Sequence, residues 1–230
     1  MALEYAHGSF EWLTTDAVAS TKTISGLSFQ PKALRFHTNG LQSATDAVSQ
    51  TISACVGIGA AVSTTSRYAI SSWAEDAATV ASCSTQVRND CCVTIGSASG
   101  DALDLDIINS DGFRMIVDDA ASQSVTVFWE AWGGSDITVA TIQGITEPAA
   151  TGNVDYTVTG YTAAGTDQAV MFAFCNFVGT VPGLSSTADG GICVGYATSG
   201  NTANNIVVVG NSDDGSATMD DDGFCQTGKC

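Results

Sequence analysis

Short runs of alternating apolar and polar residues dominate the chain, and turn residues separate them. In Ala33–Phe36, the side chains of Leu34 and Phe36 fall on one face because strand side chains alternate with a period of two. Ser124–Trp132 alternates in the same way with aromatic side chains, and Asp111–Gly112 is a hairpin signal. Since turn signals recur about every 8–12 residues, the pattern predicts an all-β fold of sandwich or jelly-roll type.

Further apolar runs predict the other strands, and polar stretches such as His37–Gln50 and Glu75–Asp90 predict irregular connections. In the first half of the chain the predicted strands are Phe10–Leu13, Thr21–Ile24, Thr51–Ala60, Arg67–Trp73, Cys91–Ile95, Ala102–Ile108 and Phe113–Val117. In the second half they are Tyr156–Val158, Ala169–Phe177, Gly191–Tyr196 and Asn205–Val209.

A degenerate internal repeat organises these strands. The stretch TISGLSFQPKALRF, which ends at Phe36, returns as TVTGYTAAGTDQAVMF, which ends at Phe172. Further along, the Cys-Val-Gly sequence at Cys55 returns at Cys193, 138 residues later. Matches that keep their order along the chain are stronger than any single short motif. The sequence therefore predicts two tandem copies of one β domain, with Phe36 and Phe172 at equivalent core positions.

The repeat predicts a first domain over residues 1–134 and a second over residues 135–230, with the small, flexible sequence Gly133–Ser135 at the boundary. The second copy reaches Cys230 without counterparts of the last strands of the first copy. A sheet without its second layer leaves an apolar face uncovered. We therefore expect the second sandwich to be incomplete at Cys230. Either the natural chain continues beyond that residue, which we favour, or a neighbouring chain supplies the missing strands.

Composition and charge exclude several classes of protein. Hydrophobic residues make up 44% of the chain and charged residues only 13%, which excludes a disordered polypeptide. The net charge of −17 disfavours binding to nucleic acid, whose phosphates need Lys and Arg, and to anionic membrane surfaces. No run of 18 apolar residues is present, and Met1–Phe10 lacks the pattern of a signal peptide. Release of assembled particles by lysis is one route by which such a chain would leave a cell.

The eight cysteines divide into two groups by their surroundings. Cys55 and Cys193 occupy equivalent places in apolar strands, which predicts buried, unreactive thiols. Five others lie in or beside polar stretches. A local disulfide in each copy and free thiols are both open alternatives for them, because the spacing of cysteines does not determine how they pair. The candidate disulfides are Cys83 with Cys91 or Cys92, and Cys225 with Cys230.

Two Asp-rich turns near the end of the chain are weak candidates for calcium, which takes six to eight oxygen ligands. Their carboxylates belong to Asp213, Asp214, Asp220 and Asp222. Neither turn has the spaced acidic register of a calcium loop, so solvated turns in an acidic protein are the favoured interpretation. The sequence predicts no other cofactor.

The sequence contains no catalytic motif of the familiar kinds, neither a nucleophile elbow nor a phosphate-binding loop nor a zinc-protease helix. Glu130, with Trp129 and Trp132 nearby, is the nearest approach to the carboxylate of a carbohydrate-processing enzyme. A glycosidase needs two opposed carboxyl groups, and no second partner for Glu130 emerges from the sequence. The chain is therefore predicted not to be an enzyme and to have no catalytic residue.

Three motifs give the first copy a resemblance to a known family. The sequence ISGLSFQPKALRF, the turn SDGF and the strand VTVFWEAW resemble a β-sandwich repeat of tailed-phage virion proteins, and the match extends over Thr21–Trp132. The second copy keeps Gly160 and Val194–Gly195 but has lost the Phe-x-Pro-Lys signature. The resemblance implies a structural or host-contact role on a virus particle and supplies no catalytic residues.

Two functions from different classes are consistent with these observations. The favoured one is a non-enzymatic structural component of a phage virion, displayed on the particle surface as a tail fibre, spike or capsid decoration. The alternative is a secreted carbohydrate-binding module, in which Trp73 or Tyr196 would stack on sugars. The two differ in where the protein is found and in whether it binds a glycan.

The aromatic strand near the predicted boundary is the candidate interface. Its alternation places Phe128 and Trp132 on one face and Trp129 on the other, so one sandwich core cannot take all three rings. We therefore expect partners to cover part of this strand. The expected partners are other virion proteins and further copies of the chain, with a trimer favoured by analogy with phage fibres. A host-surface glycan is a further expected partner.

Overall fold

The computed structural model describes residues 2–39, 53–75, 83–95, 100–145, 169–175, 181–187, 189–198, 205–212 and 220–227. Every regular element in these residues is a β-strand, so the predicted all-β fold is confirmed. Within the same ranges there is no helix of the length and apolar character that crossing a membrane requires.

The strands are numbered in chain order through these ranges. Those up to residue 134 are β1 Leu3–Trp12, β2 Thr21–Ile24, β3 Pro31–Thr38, β4 Ser53–Ala61, β5 Arg67–Glu75, β6 Cys83–Arg88, β7 Ala102–Asn109, β8 Gly112–Asp119 and β9 Val125–Gly134. Those after residue 134 are β10 Ala169–Cys175, β11 Gly183–Thr187, β12 Asp189–Thr198, β13 Asn205–Ser212 and β14 Asp220–Thr227.

These strands form three antiparallel sheets. The large sheet has the order β1-β9-β3-β4-β5-β6-β11, the cover sheet the order β2-β8-β7, and the C-terminal sheet the order β10-β12-β13-β14. The predicted hairpin is confirmed, since Asn109 pairs with Gly112 across a two-residue turn. A Cβ atom at Gly112 would lie 2.0 Å from the carbonyl oxygen of Ile24, so glycine is what lets β2 run this close to the hairpin.

The main core lies between the large sheet and the cover sheet. Phe113 of the cover sheet stands at its centre, edge-to-face with Phe36 at 5.9 Å and with Trp129 at 5.4 Å between ring centroids. Leu34 and Phe36 point into this core, as their alternation predicts. Further fully buried side chains come from both sheets, among them Trp12, Leu103, Met115, Val117, Val125 and Val127.

The C-terminal sheet packs against the other face of the large sheet. Ile192 of β12 lies with Ile58 of β4 and Ile70 of β5 in a small apolar cluster, and Met171 and Ala173 of β10 pack at its border. Three layers result, with the large sheet in the middle. Burying apolar side chains on both faces explains why β4 and β5 are almost continuously apolar or small.

The C-terminal sheet repeats the order of part of the large sheet. Strands β3-β4-β5-β6 are neighbours in the large sheet, and we call them the first meander. Strands β10-β12-β13-β14 are neighbours in the C-terminal sheet, and we call them the second meander. Phe36 pairs with Gly59 in the first meander, and Phe172 pairs with Gly195 in the second. The intervening strand β11 leaves its own meander and pairs with β6, so it extends the large sheet. The division at residue 134 stays a prediction.

Some expectations about individual segments are wrong. Cys91–Ile95 is not a strand but makes an isolated bridge between Val93 and Leu103. Instead, β6 lies within the polar stretch that was expected to be irregular. The end of β9 is not a loose linker either, because Gly134 pairs with Leu3 of β1. Lys32 Nζ also donates hydrogen bonds to two carbonyl oxygens there, at 2.8 Å to Gly134 and 2.7 Å to Ile137.

Candidate functional site

The two faces of β9 separate its aromatic side chains as the alternation predicts. Trp129 is 7% exposed and belongs to the main core, while Phe128, on the opposite face, is 40% exposed. Gly8 of β1 leaves room for the Trp129 ring, since a Cβ atom there would lie 2.6 Å from it. The interface role expected for Trp129 is therefore wrong, because the core of the chain itself covers this ring. Phe128 and Trp132 remain on the outer face.

The outer face of β1, β9 and β3 carries an ordered set of polar and aromatic side chains. Antiparallel pairing places His7, Glu130 and Arg35 in one row across the three strands. The neighbouring row contains Tyr5 and Trp132, whose rings lie 5.7 Å apart. Residues that are distant in the sequence thereby become direct neighbours on one face of the sheet. We call the set Tyr5, Arg35, His37, Glu130, Trp132 and Tyr196 the outer-face site.

Glu130 is the centre of the hydrogen-bond network at the outer-face site. Its carboxylate forms an ion pair with Arg35, accepts a hydrogen bond from Tyr5 Oη at 3.0 Å, and lies 3.3 Å from His37 Nε2. Partial burial would raise the pKa of Glu130, but the hydrogen bonds from Arg35, Tyr5 and His37 outweigh it and hold the pKa below its ordinary value. Glu130 is therefore ionised at neutral pH and acts as an acceptor.

Arg35 connects the outer face of the large sheet to the C-terminal sheet. Its guanidinium lies over the Trp132 ring, 5.4 Å from the centroid, which is cation–π geometry. Arg35 Nη1 also donates a hydrogen bond to Tyr196 Oη of β12 at 2.9 Å and lies 3.4 Å from Met171 Sδ of β10. The guanidinium is thus fixed by a carboxylate, an aromatic face and a phenol.

His37 contributes a neutral imidazole to the outer-face site. Burial lowers the pKa of His37 most, the positive charge of Arg35 lowers it further, and the contact with Glu130 opposes both effects only in part. The net pKa lies below the ordinary value, so the ring is uncharged at pH 7 and donates Nε2–H to the carboxylate. Its other ring nitrogen is then an acceptor.

The arrangement is suited to binding rather than to acid–base chemistry. A general acid in a glycosidase needs a raised pKa, whereas that of Glu130 is lowered and its oxygens are occupied by Arg35, Tyr5 and His37. The rings of Tyr5 and Tyr196 are 50% and 45% exposed. The outer-face site therefore offers exposed aromatic rings next to fixed polar groups.

Sequence reasoning singled out Glu130 and Trp132 but missed the side chains that join them. Arg35 and His37 alternate with Leu34 and Phe36 in β3, which assigns them to the outer face. The sequence signal that could have identified them is that β3 and β9 are both amphipathic, each with a charged residue on the face opposite its apolar side chains. Tyr196, one of the two candidate sugar-stacking residues, lies beside Arg35. Trp73, the other candidate, packs against the main core.

The candidate disulfides of Cys91 and Cys92 in the first copy are not formed. Cys91 and Cys92 are free, fully buried thiols, so the free-thiol alternative describes them. Cys92 Sγ donates to Asp104 Oδ1 at 3.5 Å, and Cys91 packs against Ala69 and Ala102. Burial raises the pKa of both thiols, which makes them unreactive. The side chains of Cys83 and Cys225, and all of Cys230, lie outside the described residues.

The two thiols that the repeat relates are both buried, as predicted. Cys55 is 2% exposed and Cys193 is 8% exposed. Burial raises the pKa of Cys55 to about 12, and it also raises the pKa of Cys193. Cys55 Sγ further donates a hydrogen bond to the carbonyl oxygen of Ile95 at 2.9 Å.

The calcium candidates cannot be placed on the structure. Asp213 and Asp214 lie outside the described residues, and so do the side chains of Asp220 and Asp222, whose backbone forms part of β14. Over the ranges that the structure does describe, no group of three or more His, Cys, Asp or Glu side chains has the arrangement of a metal site.

Comparison with known proteins returned no family model, no curated protein and no solved structure that matches the chain.

Proposed function

We propose that this chain is a non-enzymatic structural component of a phage virion, displayed on the particle surface as part of a tail fibre, a spike or a capsid decoration. The observation that carries the proposal is the repeated meander, in which two four-stranded units of the same order stack through Ile58, Ile70 and Ile192. Stacked, closely packed β layers deform little, which suits a part that holds its shape on a particle.

The chemistry of the outer-face site supports a contact role. Its one central carboxylate is ionised and engaged by Arg35, Tyr5 and His37, an arrangement that presents fixed hydrogen-bonding groups without a general acid. Because the net charge is −17, the surfaces of two copies repel each other except where neutral patches meet. Specific contacts with other molecules, proteins or glycans, therefore concentrate on the uncharged and internally paired parts of the surface.

Assembly with further copies of the chain and with other virion proteins belongs to the same proposal. Trp132 is already engaged by Arg35 and Tyr5, whereas Phe128 is 40% exposed on the same face. Among the aromatic rings of β9, Phe128 is therefore the anchor left for an interface, with a trimer as the favoured state. Light scattering of the whole chain should give a defined oligomer, and Phe128→Ala should weaken it. A monomer that is insensitive to this substitution would contradict the assembly proposal.

The experiment that tests the location is mass spectrometry of virus particles purified from the lysate of cells that make this chain. The chain should be present at a fixed ratio to the major capsid protein, and gold-labelled antibodies should decorate intact particles at one structural position. If the chain stays in the soluble fraction while the particles lack it, the virion role is wrong. The alternative, a secreted carbohydrate-binding module, would then account for a free protein that binds glycans.

A further inference from the structure

We propose that the outer-face site binds a neutral saccharide, with Tyr196 and Tyr5 packing on the sugar ring and the network around Glu130 and Arg35 holding its hydroxyl groups. This inference concerns a ligand of the chain and does not depend on whether the chain is mounted on a particle.

The junction of the large sheet with the C-terminal sheet is the first argument. The outer face of β1, β9 and β3 meets the C-terminal sheet where Tyr196 and Met171 contact Arg35. A ligand bound at this junction contacts side chains of both sheets at once. Ligand sites often lie at the junction of two packed units.

The exposed rings are the second argument. Tyr5 is 50% exposed and Tyr196 is 45% exposed, and both carry a hydroxyl group that already takes part in the network. Single exposed aromatic side chains are normal on a protein surface, but several around one polar cluster indicate a contact site. The apolar face of a tyrosine ring packs well on the C–H face of a pyranose, while its hydroxyl group remains available for hydrogen bonding.

The polar groups supply both donors and acceptors in fixed positions. Tyr196 Oη accepts a hydrogen bond from Arg35, so its own O–H is available to donate. Tyr5 Oη donates to Glu130, so its lone pairs are available to accept, as is the second ring nitrogen of His37. Sugar hydroxyl groups both donate and accept. Because the network is ordered before any ligand arrives, binding costs little side-chain entropy.

The charge of the site selects the class of saccharide. Glu130 is neutralised by Arg35 and His37 is uncharged at pH 7, so the site is close to neutral in a chain with a net charge of −17. The field of the whole chain repels an acidic sugar such as a uronate. A neutral hexose oligosaccharide is the ligand that this combination favours.

A protein partner seated on the Arg35–Glu130 pair itself is the competing explanation. The structure favours the sugar there, and the proposed interface at Phe128 lies in the next row of the sheet. A protein interface would remove water from the Arg35–Glu130 ion pair on all sides, which costs free energy unless the remaining lone pairs and N–H groups are satisfied. A sugar continues the hydrogen bonds of the network and leaves the pair partly hydrated. Tyr and Arg side chains are common in both kinds of site, so the experiment must separate the two.

The experiment measures binding of the whole chain to gluco-, galacto- and manno-configured neutral hexasaccharides, with oligogalacturonate as the acidic comparison. Titration calorimetry should detect at least one neutral sugar below about 1 mM and should give weaker or undetectable binding of the uronate. No binding of any neutral sugar up to about 10 mM would overturn the proposal.

Matched variants then assign the binding to the outer-face site. Tyr196→Ala should lower the affinity about tenfold, and Tyr196→Phe, which keeps the ring, should lose less. Phe174→Ala is the control, because Phe174 is also 45% exposed on the C-terminal sheet but lies on its opposite face, and the affinity should not change. Circular dichroism checks the fold of each variant. Equal losses in Tyr196→Ala and Phe174→Ala would overturn the assignment.

The protein-partner explanation has its own readout. If Tyr196→Ala dissociates an oligomer of the chain in analytical ultracentrifugation while sugar binding is absent, the outer-face site is an interface between copies and the proposal is wrong. If Tyr196→Ala leaves the oligomeric state unchanged and lowers sugar affinity, the saccharide site is supported.

Discussion

The two meanders of the molecule contain strands in the same order but differ in what covers them. Phe36 of the first meander is fully buried beneath the cover sheet, where it contacts Phe113. Phe172, which the repeat places at the equivalent position, is only half-buried, and Phe174 beside it is 45% exposed. The prediction that Phe36 and Phe172 occupy equivalent core positions is therefore wrong. The second layer, and not the strand pattern alone, decides whether an aromatic residue belongs to a core.

The C-terminal sheet buries the opposite face instead. Met171 and Ala173 alternate with Phe172 and pack at the cluster formed with Ile58 and Ile70 of the large sheet. In the first meander both faces are used, because the main core covers one and the C-terminal sheet covers part of the other. The first meander therefore carries more of the stabilising free energy than the second.

The largest expected effect comes from removing the two related aromatic rings. Phe36→Ala should lower the free energy of unfolding by about 3–5 kcal/mol, since it leaves a cavity in a closely packed core. Phe172→Ala should cost about 1 kcal/mol, because a half-buried ring loses less contact area and leaves no closed cavity. Urea unfolding followed by circular dichroism measures both. Equal losses would show that the second meander is covered as fully as the first.

A backbone contact of the first meander gives the next effect. A Cβ atom at Gly59 would lie 1.6 Å from the carbonyl oxygen of Cys92, where the segment after β6 runs across β4. Gly59→Ala should therefore destabilise the chain by about 3 kcal/mol, the upper end of overpacking costs. Gly26→Ala is the control, because nothing lies within 4 Å and only its positive φ of 83° opposes the change, at about 1 kcal/mol. Thermal unfolding that ranks Gly26→Ala as the worse variant would contradict this contact.

The segment that contacts Gly59 was wrongly predicted from the sequence, whereas several other strands were predicted correctly. The alternation of β3, β8 and β9 and the hairpin at Asp111–Gly112 follow from local chemistry, and the structure confirms them. Cys91–Ile95 has the composition of a strand and contributes buried side chains to the main core, but it has no ladder partner apart from the bridge at Val93. An apolar run becomes a strand only where a free sheet edge is available for pairing, and the local sequence pattern does not show whether one is.

The short polar strands were missed for the converse reason. β11 has the sequence GLSST and β14 the sequence DDDGFCQT, and neither has the apolar character that predicts a strand. Pairing with β6 and with β13 forms them. In the outer-face site, Arg35 and Glu130 are 95 residues apart in sequence. Their ion pair follows from the register of β3 and β9, and one sequence does not reveal that register.

Loss of the contact between the two meanders should be separable, in unfolding experiments, from unfolding of the main core. Ile192→Ala should cost about 2 kcal/mol, the lower end for a buried isoleucine, because the cluster around it is small. All four tryptophans lie in β1, β5 and β9 of the large sheet, so their fluorescence reports that sheet, while circular dichroism reports every strand. The dichroism midpoint should fall and the fluorescence midpoint should stay. Val170→Ala, on the other face of β10, is the control, and a joint shift of both midpoints would show one cooperative unit.

The smallest effect concerns the two thiols that the repeat relates. Burial raises the pKa of Cys55 to about 12 and also raises that of Cys193, so both should resist alkylation at pH 8 in the native state. Cys55 lies beneath the cover sheet and donates to the carbonyl oxygen of Ile95, whereas Cys193 lies in the C-terminal sheet opposite Phe174. Local opening of the less covered meander should therefore expose Cys193 first.

Alkylation in urea concentrations below the main transition, with the modified peptides identified by mass spectrometry, measures this difference. Cys193 should react at least about tenfold faster than Cys55, which corresponds to about 1.4 kcal/mol less free energy for the opening that exposes it. Cys193→Ser serves as the control, since it removes the faster reaction and should leave the rate at Cys55 unchanged. If Cys55 reacts together with Cys193 at every urea concentration, the two meanders open as one unit and the difference in their covering has no energetic consequence.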